Sequence, residues 1–346
     1  MVVGLISPKK IAVNSERFRE LGLVFFIVIV SAVVQARNHE FLTVLNLSQI
    51  LANTAILGIL SVGMMMVLLT GGIDLSIGAT MAFSGMVAGL TVSAYPGVPP
   101  VVLVLEGMLL GAVIGVIIGV LVARFNILPI IASLGLMNAI RGSTYMVSKG
   151  QWVSAYQMSP AFKAMATNKT LGINNLVFIA VAIFIVFYYF INHTRTGRRI
   201  YAVGSNPDAA EVIGLPKKRI ITLVYILMGA LAGLAGVLWV AKYASAQGDT
   251  ASGYEMNVIA ACVLGGVSVS GGRGKVSGLL LGVVLFGILA NALPLINVSP
   301  FWQQAIQGIV ILAAILTNVF IKRNNDKSAL RRRIFGKQRN AEGASV

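Results

Sequence analysis

The chain alternates between long apolar runs and short polar connections. A transmembrane helix needs about 20 mainly apolar residues, because each residue adds about 1.5 Å and the hydrocarbon layer is about 30 Å thick. The runs that approach this length cover residues 21–35, 50–70, 75–95, 100–122, 128–147, 175–191, 220–242, 254–270, 276–295 and 301–321. The pattern therefore predicts an all-α polytopic membrane protein with about ten transmembrane helices.

These runs divide the chain into three parts. Residues 1–20 form a predicted cytoplasmic N-terminal segment, residues 21–321 a transmembrane domain, and residues 322–346 a basic cytoplasmic tail. No small-residue cleavage site follows the first run, so we expect it to remain as a membrane span. Within the transmembrane domain, residues 194–219 form a polar cytoplasmic loop.

Composition agrees with a membrane protein. Hydrophobic residues make up 57% of the chain and charged residues only 11%, whereas soluble domains carry about 25% charged residues. The chain has neither a basic domain nor a recognition motif for nucleic acid, so its net charge of +16 does not predict such a partner. With one cysteine, Cys262, and two distant histidines, it can form no intrachain disulfide and suggests no metal site.

The basic residues predict an orientation. They cluster beside the apolar runs at positions 9–19, 195–219, 273–275 and 322–339. With ten spans all four clusters fall on one side, so the positive-inside rule places both termini and the 194–219 loop in the cytoplasm. Residues 148–174 disagree, because this external loop holds three lysines and no acid. The tail is expected to contact anionic membrane lipid.

Residues 205–216 read Ser-Asn-Pro-Asp-Ala-Ala-Glu-Val-Ile-Gly-Leu-Pro, a short motif between two apolar runs. Asn206 or Ser205 can cap the N-terminus of a helix, and Asp208 complements the helix dipole. Gly214 can end the helix. The motif is typical of a short cytoplasmic docking helix, although any loop can hold a capped turn.

Glycines predict both close packing and breaks. Gly107, Gly111, Gly115 and Gly119 recur every fourth residue, which lets another helix backbone approach closely. Elsewhere, two clusters share the spacing Gly-Gly-x-x-x-x-x-Gly. The predicted helix breaks in these clusters are Gly71, Gly72, Gly271 and Gly272. The shared spacing indicates either an internal duplication, as in many transporters, or two independent turns.

Polar residues near these breaks and inside the runs are candidates for a pathway. Asp74 either caps the third span or faces a pathway near its cytoplasmic gate together with Ser76. Glu106 and Arg141 lie at similar depths, which favours a structural ion pair. Alternatively, one sector of about 120° on the fifth run, at 100° per residue, could line a pathway. Its members are Asn138, Arg141 and Thr144.

The turn around Gly274 and Lys275 superficially suggests a phosphate-binding loop. The Gly-x-x-x-x-Gly-Lys-[Ser/Thr] pattern requires glycine where Val269 stands and a hydroxyl residue where Val276 stands. The sequence therefore predicts no cofactor in this chain, and any ATP and Mg would bind to a separate subunit.

Several motifs occur in a familiar order. They lie at residues 71–76, 136–142, 201–206, 253–266 and 271–274. Together they resemble the permease subunit of a ribose-type ABC importer, from the group that transports monosaccharides and autoinducer-2. The resemblance covers residues 21–321 and implies a type II-like permease fold in the bacterial cytoplasmic (inner) membrane, a multi-pass subunit that is not an enzyme.

This resemblance implies partners and a coupling surface. The expected partners are two ATP-binding subunits, a second permease subunit that is identical or related, and an extracytoplasmic solute-binding protein. The residues implied to couple to the ATPase are Asn206, Asp208, Ala209, Ala210, Glu211 and Gly214. Ala209, Ala210 and Gly214 would form its small-residue contact surface.

An ion- or proton-coupled secondary transporter working without ATPase subunits is the alternative. Such a transporter would need ionisable groups deep in the membrane. In this sequence they are sparse and lie near the ends of the runs. A secondary transporter also gives no role to the capped motif at 205–216.

Overall fold

The computed structural model describes residues 8–299 and scattered positions from 301 to 312. Its longer helices are α1 (Pro8–Arg37), α2 (Val44–Leu69), α3 (Ile77–Ala94), α4 (Pro100–Ala123), α5 (Pro129–Ser148), α7 (Asn175–His193), α10 (Lys217–Tyr243) and α12 (Val276–Leu295). The shorter elements are α6 (Pro160–Thr167), β1 (Lys169–Thr170), β2 (Ile173–Asn174), α8 (Arg195–Ser205), α9 (Pro207–Val212) and α11 (Tyr254–Leu264).

The described helices support an all-α membrane protein. Within this part of the chain, seven are long and apolar enough to cross a membrane: α1, α2, α3, α4, α7, α10 and α12. Large apolar side chains are exposed along α1, α4 and α7. In a membrane such apolar faces contact the hydrocarbon chains of the lipids.

Two sequence predictions differ from this inventory. The run at 254–270 is helical only over Tyr254–Leu264, about 16 Å long at 1.5 Å per residue, so α11 is too short to cross alone. Helix α1 already begins at Pro8, inside the segment predicted to precede the first span. The span at 301–321 and the tail at 322–346 lie outside the continuously described residues.

Helix α10 is the centre of the molecule and packs against α4, α3 and α2. The glycine stripe on α4 is the reason for its closest contact. A Cβ on Gly111 would overlap the carbonyl oxygen of Gly229, and a Cβ on Gly229 would overlap that of Gly111. The predicted close approach is confirmed, and its partner is a second glycine stripe on α10.

Candidate functional site: a short capped helix and two interrupted helices

Helix α9 begins as the capping pattern predicts. The Asn206 side-chain oxygen accepts a hydrogen bond from the Ala209 amide at 2.9 Å. Ser205 is the last residue of α8, so the cap is Asn206 and not Ser205. Pro207 occupies the first helical turn, and Asp208 there complements the dipole.

The end of α9 has the geometry of a Schellman motif. Gly214 has a φ of +75°. Its amide donates to the Glu211 carbonyl at 3.0 Å, and the Leu215 amide donates to the Ala210 carbonyl at 3.0 Å. Glycine adopts this left-handed conformation without a Cβ penalty, so it ends the helix here.

The exposure of the α9 residues differs in one respect from the predicted contact surface for the ATPase. Asn206, Asp208, Ala209, Glu211 and Gly214 are exposed, as a docking surface requires. Ala210 is only 3% exposed and belongs to the chain's own core. Because α9 rests on the protein through this methyl group, Ala210 supports the surface and is not itself available for contact.

Two apolar residues complete the exposed surface of α9, and the sequence analysis missed them. Val212 is 87% exposed and Ile213 is 72% exposed. Exposed apolar side chains beside charged ones are typical of interaction sites. Their position in an otherwise polar loop was the signal that could have identified them.

Helix α8 connects α7 to α9 and lies within residues 194–219, where the sequence predicts only a polar loop. Thr194 caps it by accepting from the Gly197 amide at 3.0 Å. Its buried face carries Ile200 and Val203. On the other face three arginines line a shallow cavity of about 300 Å³ together with Ala202 and Leu215: Arg195, Arg198 and Arg199.

The first helix break lies between α2 and α3. Gly71 has a φ of +79°, and a Cβ on Gly72 would lie 2.6 Å from the Tyr225 hydroxyl. Asp74 is 2% exposed, and one of its oxygens accepts from the Ser76 amide at 2.9 Å and the Ser76 hydroxyl at 2.7 Å. The Asp74 carboxylate thus fixes the turn into α3.

This break lies within the membrane-crossing length of α10. The Tyr225 hydroxyl, in the N-terminal half of α10, donates to the Ile73 carbonyl at 3.4 Å. Gly236 of α10 packs against Met81 of α3. From Ile73 to Met81 the chain therefore rises alongside the α10 segment from 225 to 236, about 16 Å at 1.5 Å per residue.

The second interruption separates α10 from α11. A Cβ on Gly78, at the start of α3, would lie 2.5 Å from the Ala251 carbonyl oxygen and 2.8 Å from a Glu255 carboxylate oxygen. The N-termini of α3 and α11 therefore meet. Paired half-helices of this kind surround the substrate site in many transporters.

Both predicted glycine clusters lie in turns that precede a long helix. Gly71 and Gly72 precede α3, and Gly271 and Gly272 lie between α11 and α12, with φ of +85° and +71°. A Cβ on Gly271 would lie 3.1 Å from the Gly71 nitrogen, so the two turns are neighbours. An internal duplication and two independent turns are both compatible with this arrangement.

The predicted ion pair between Glu106 and Arg141 is wrong. Arg141 donates through one nitrogen to the Gly248 carbonyl at 2.9 Å and the Thr250 carbonyl at 2.7 Å. Glu106 accepts from the Thr91 hydroxyl at 2.9 Å. Equal depth does not bring two side chains together when their helices turn them toward different neighbours. Arg141 holds the non-helical segment 244–253.

The residues of the predicted polar sector on α5 do not share one environment in the structure. Thr144 is fully buried, and its hydroxyl donates to the Ile140 carbonyl at 2.9 Å. Asn138 is exposed, and its amide donates to the Leu134 carbonyl at 3.1 Å. Gly135 and Gly142 lie near Asn138, and no described atom lies within 4 Å of a Cβ on either glycine. This exposed α5 face combines Asn138 and the two glycines with large apolar residues such as Ile131 and Leu134.

Known proteins resemble the chain over most of its length. Residues 46–315 match the family described as branched-chain amino acid transport system, permease component. A ribose import permease protein of Bacillus subtilis is 40% identical over 297 residues, 86% of this chain and 90% of its own. The ribose import permease protein of Escherichia coli K12 is 36% identical, covering 92% and 99%.

An L-arabinose ABC transporter permease of Azospirillum brasilense is 34% identical over 310 residues, 90% of each chain. No solved structure matches the chain. The family match covers nearly all of α2 and every described helix after it, including the α8–α9 connection, and leaves out α1. By these matches, the chain belongs to the branched-chain amino acid transport system permease family of ABC transporters.

Proposed function

We propose that the chain is the membrane-spanning permease subunit of an ATP-driven importer for a monosaccharide or sugar-like small molecule. The single observation that carries this proposal is its identity of 34 to 40% with ribose and L-arabinose permeases over most of both chains. The subunit itself catalyses no reaction. It acts as a multi-pass protein of the bacterial cytoplasmic membrane.

The proposed topology has about ten spans with both termini in the cytoplasm, as in type II-like permeases. In this arrangement residues 1–20, 194–219 and 322–346 lie on the cytoplasmic side and residues 148–174 on the outer side. The basic residues at 195–219 support the proposal through the positive-inside rule.

The proposed partners are two ATP-binding subunits, which hold ATP and Mg, a second permease subunit and an extracytoplasmic binding protein that delivers the substrate. Helix α9 is the proposed contact for an ATP-binding subunit. Its coupling residues are Asn206, Asp208, Ala209, Glu211 and Gly214, with Val212 and Ile213 added by their exposure. The buried methyl group of Ala210 holds the helix in position.

The proposed pathway follows the two interrupted helices. Asp74 and Ser76 fix the first break, and Arg141 fixes the second. Asn138 lies on the exposed α5 face, which we assign to the second permease subunit, so that the pathway runs between two subunits. Thr144 supports this helix from the protein interior.

An association experiment tests the coupling proposal. Purification from the native host in mild detergent should recover a stoichiometric P-loop ATPase, identified by mass spectrometry. Changing Val212 and Ile213 to glutamate places two charges in the proposed apolar contact and should remove the ATPase. Leu171→Glu is a matched control, because Leu171 is 91% exposed in the turn between β1 and β2. We call residues 169–174 the outer hairpin, since the proposed topology places them outside the cell.

Recovery of the same ATPase with both variants would contradict α9 as the contact. A wild-type chain that purifies alone and drives uptake with an ion gradient would support the secondary transporter.

A further inference from the structure

Three chain segments meet in backbone contact at the C-terminal end of α8, which leads directly into α9. They are the C-terminal part of α8, the turn after α2, and the turn between α11 and α12. The residues in contact are Gly204 and Ser205, then Leu69 and Gly71, then Gly271 and Gly272. We name this set the glycine junction. It joins the proposed coupling helix to the segments that flank both interrupted helices.

Gly204 occupies the tightest position of the glycine junction. A Cβ there would overlap the Leu69 carbonyl oxygen and lie 2.9 Å from the Gly272 nitrogen. The Gly272 amide in turn donates to the same Leu69 oxygen at 2.9 Å. Because backbone atoms cannot rotate aside as side chains do, no other residue fits here without moving a segment.

The remaining contacts close the junction from the other side. A Cβ on Gly271 would lie 2.7 Å from the Gly204 carbonyl oxygen and 3.1 Å from the Gly71 nitrogen. A Cβ on Gly272 would lie 2.6 Å from the Ser205 Cα. The positive φ of Gly71, Gly271 and Gly272 adds a second reason for glycine at these positions.

A side-chain hydrogen bond ties α8 to the same turn. The Tyr201 hydroxyl donates to the Gly274 carbonyl at 2.8 Å. Helix α8 is thus attached to the turn after α11 at two places, and to the end of α2 at one. In close-packed protein, a displacement of α8 is transmitted to both.

We infer that Gly204 is a positioning residue that relays movement of α9 to both interrupted helices. This inference rests on the proposed coupling role of α9. When an ATP-binding subunit shifts α9, the continuous α8–α9 connection displaces Leu69 before the first break and the turn at Gly271 after α11. Helices α3 and α11, which follow the two breaks, then move together, because both are displaced through the glycine junction.

The test uses proteoliposomes containing the whole transporter with its ATP-binding subunits and binding protein. Gly204→Ala should keep the ATPase bound, because the α9 surface is intact, while transported sugar per ATP hydrolysed falls. Coupling changes of this kind correspond to about 2- to 30-fold. Gly22→Ala is the matched control, a helical glycine with no described atom within 4 Å of its Cβ.

Tyr201→Phe is the second variant, which removes the hydroxyl that donates to the Gly274 carbonyl and keeps the aromatic ring. It should also lower the sugar-to-ATP ratio with the ATPase retained, and Tyr189→Phe, at an exposed position, should leave that ratio unchanged. A wild-type ratio in Tyr201→Phe and in folded Gly204→Ala would overturn the relay. Failure of α9 as the contact would instead appear as an ATPase that stays bound after charges are placed at Val212 and Ile213.

Discussion

At the scale of single residues, Arg141 shows how a membrane protein tolerates a break. Its guanidinium supplies hydrogen bonds to two carbonyls, Gly248 and Thr250, that have no helical partner. The Asp74 carboxylate likewise accepts hydrogen bonds from the amide and the hydroxyl of Ser76. Backbone groups at membrane depth must be satisfied by protein or water, and here the side chains of Arg141 and Asp74 satisfy them.

We predict that Arg141→Met lowers the thermal unfolding midpoint in detergent. The change leaves the Gly248 and Thr250 carbonyls without their donor. An unsatisfied buried carbonyl costs about 1–3 kcal/mol, and because these hydrogen bonds are part-buried we expect the lower end of that range. Asn138→Ala on the same helix should change the midpoint little, because Asn138 is exposed and bonds only within its own helix. Equal midpoints for wild type and Arg141→Met would contradict the assigned role.

At the scale of elements, periodic patterns predicted more than isolated residues did. The glycines at every fourth position of α4 correctly predicted a close contact with another helix. The capping residues correctly predicted where α9 begins and ends. The pairing of Glu106 with Arg141 failed because depth along a helix says nothing about the neighbour it faces. The segment 244–253 was missed because its conformation depends on Arg141 and α3, which are distant in sequence.

The α4–α10 contact gives a prediction at this scale. Gly111→Ala should reduce the yield of folded protein, because the added Cβ overlaps the Gly229 carbonyl oxygen and forces the helices apart. Gly135→Ala on α5 should not, because its Cβ meets no described atom within 4 Å. Size-exclusion profiles of the two detergent-solubilised variants make the comparison, and identical profiles would refute the proposed backbone contact.

At the scale of the whole molecule, α9 and the outer hairpin should lie on opposite sides of the membrane. The chain's one cysteine, Cys262, is buried, so engineered thiols can be labelled over a low background. We predict that a membrane-impermeant maleimide labels Leu171→Cys in intact cells and labels Ile213→Cys only after permeabilisation. Labelling of both in intact cells would contradict the proposed orientation.

The central claim is ATP-driven sugar import through this subunit. The most direct measurement is accumulation of labelled ribose and arabinose, each with its binding protein, in proteoliposomes containing the purified transporter. We predict accumulation only with ATP and the ATP-binding subunits, insensitive to a protonophore, and lost when Val212 and Ile213 become glutamate. Accumulation by the permease alone, driven by a proton gradient and abolished by the protonophore, would contradict the account.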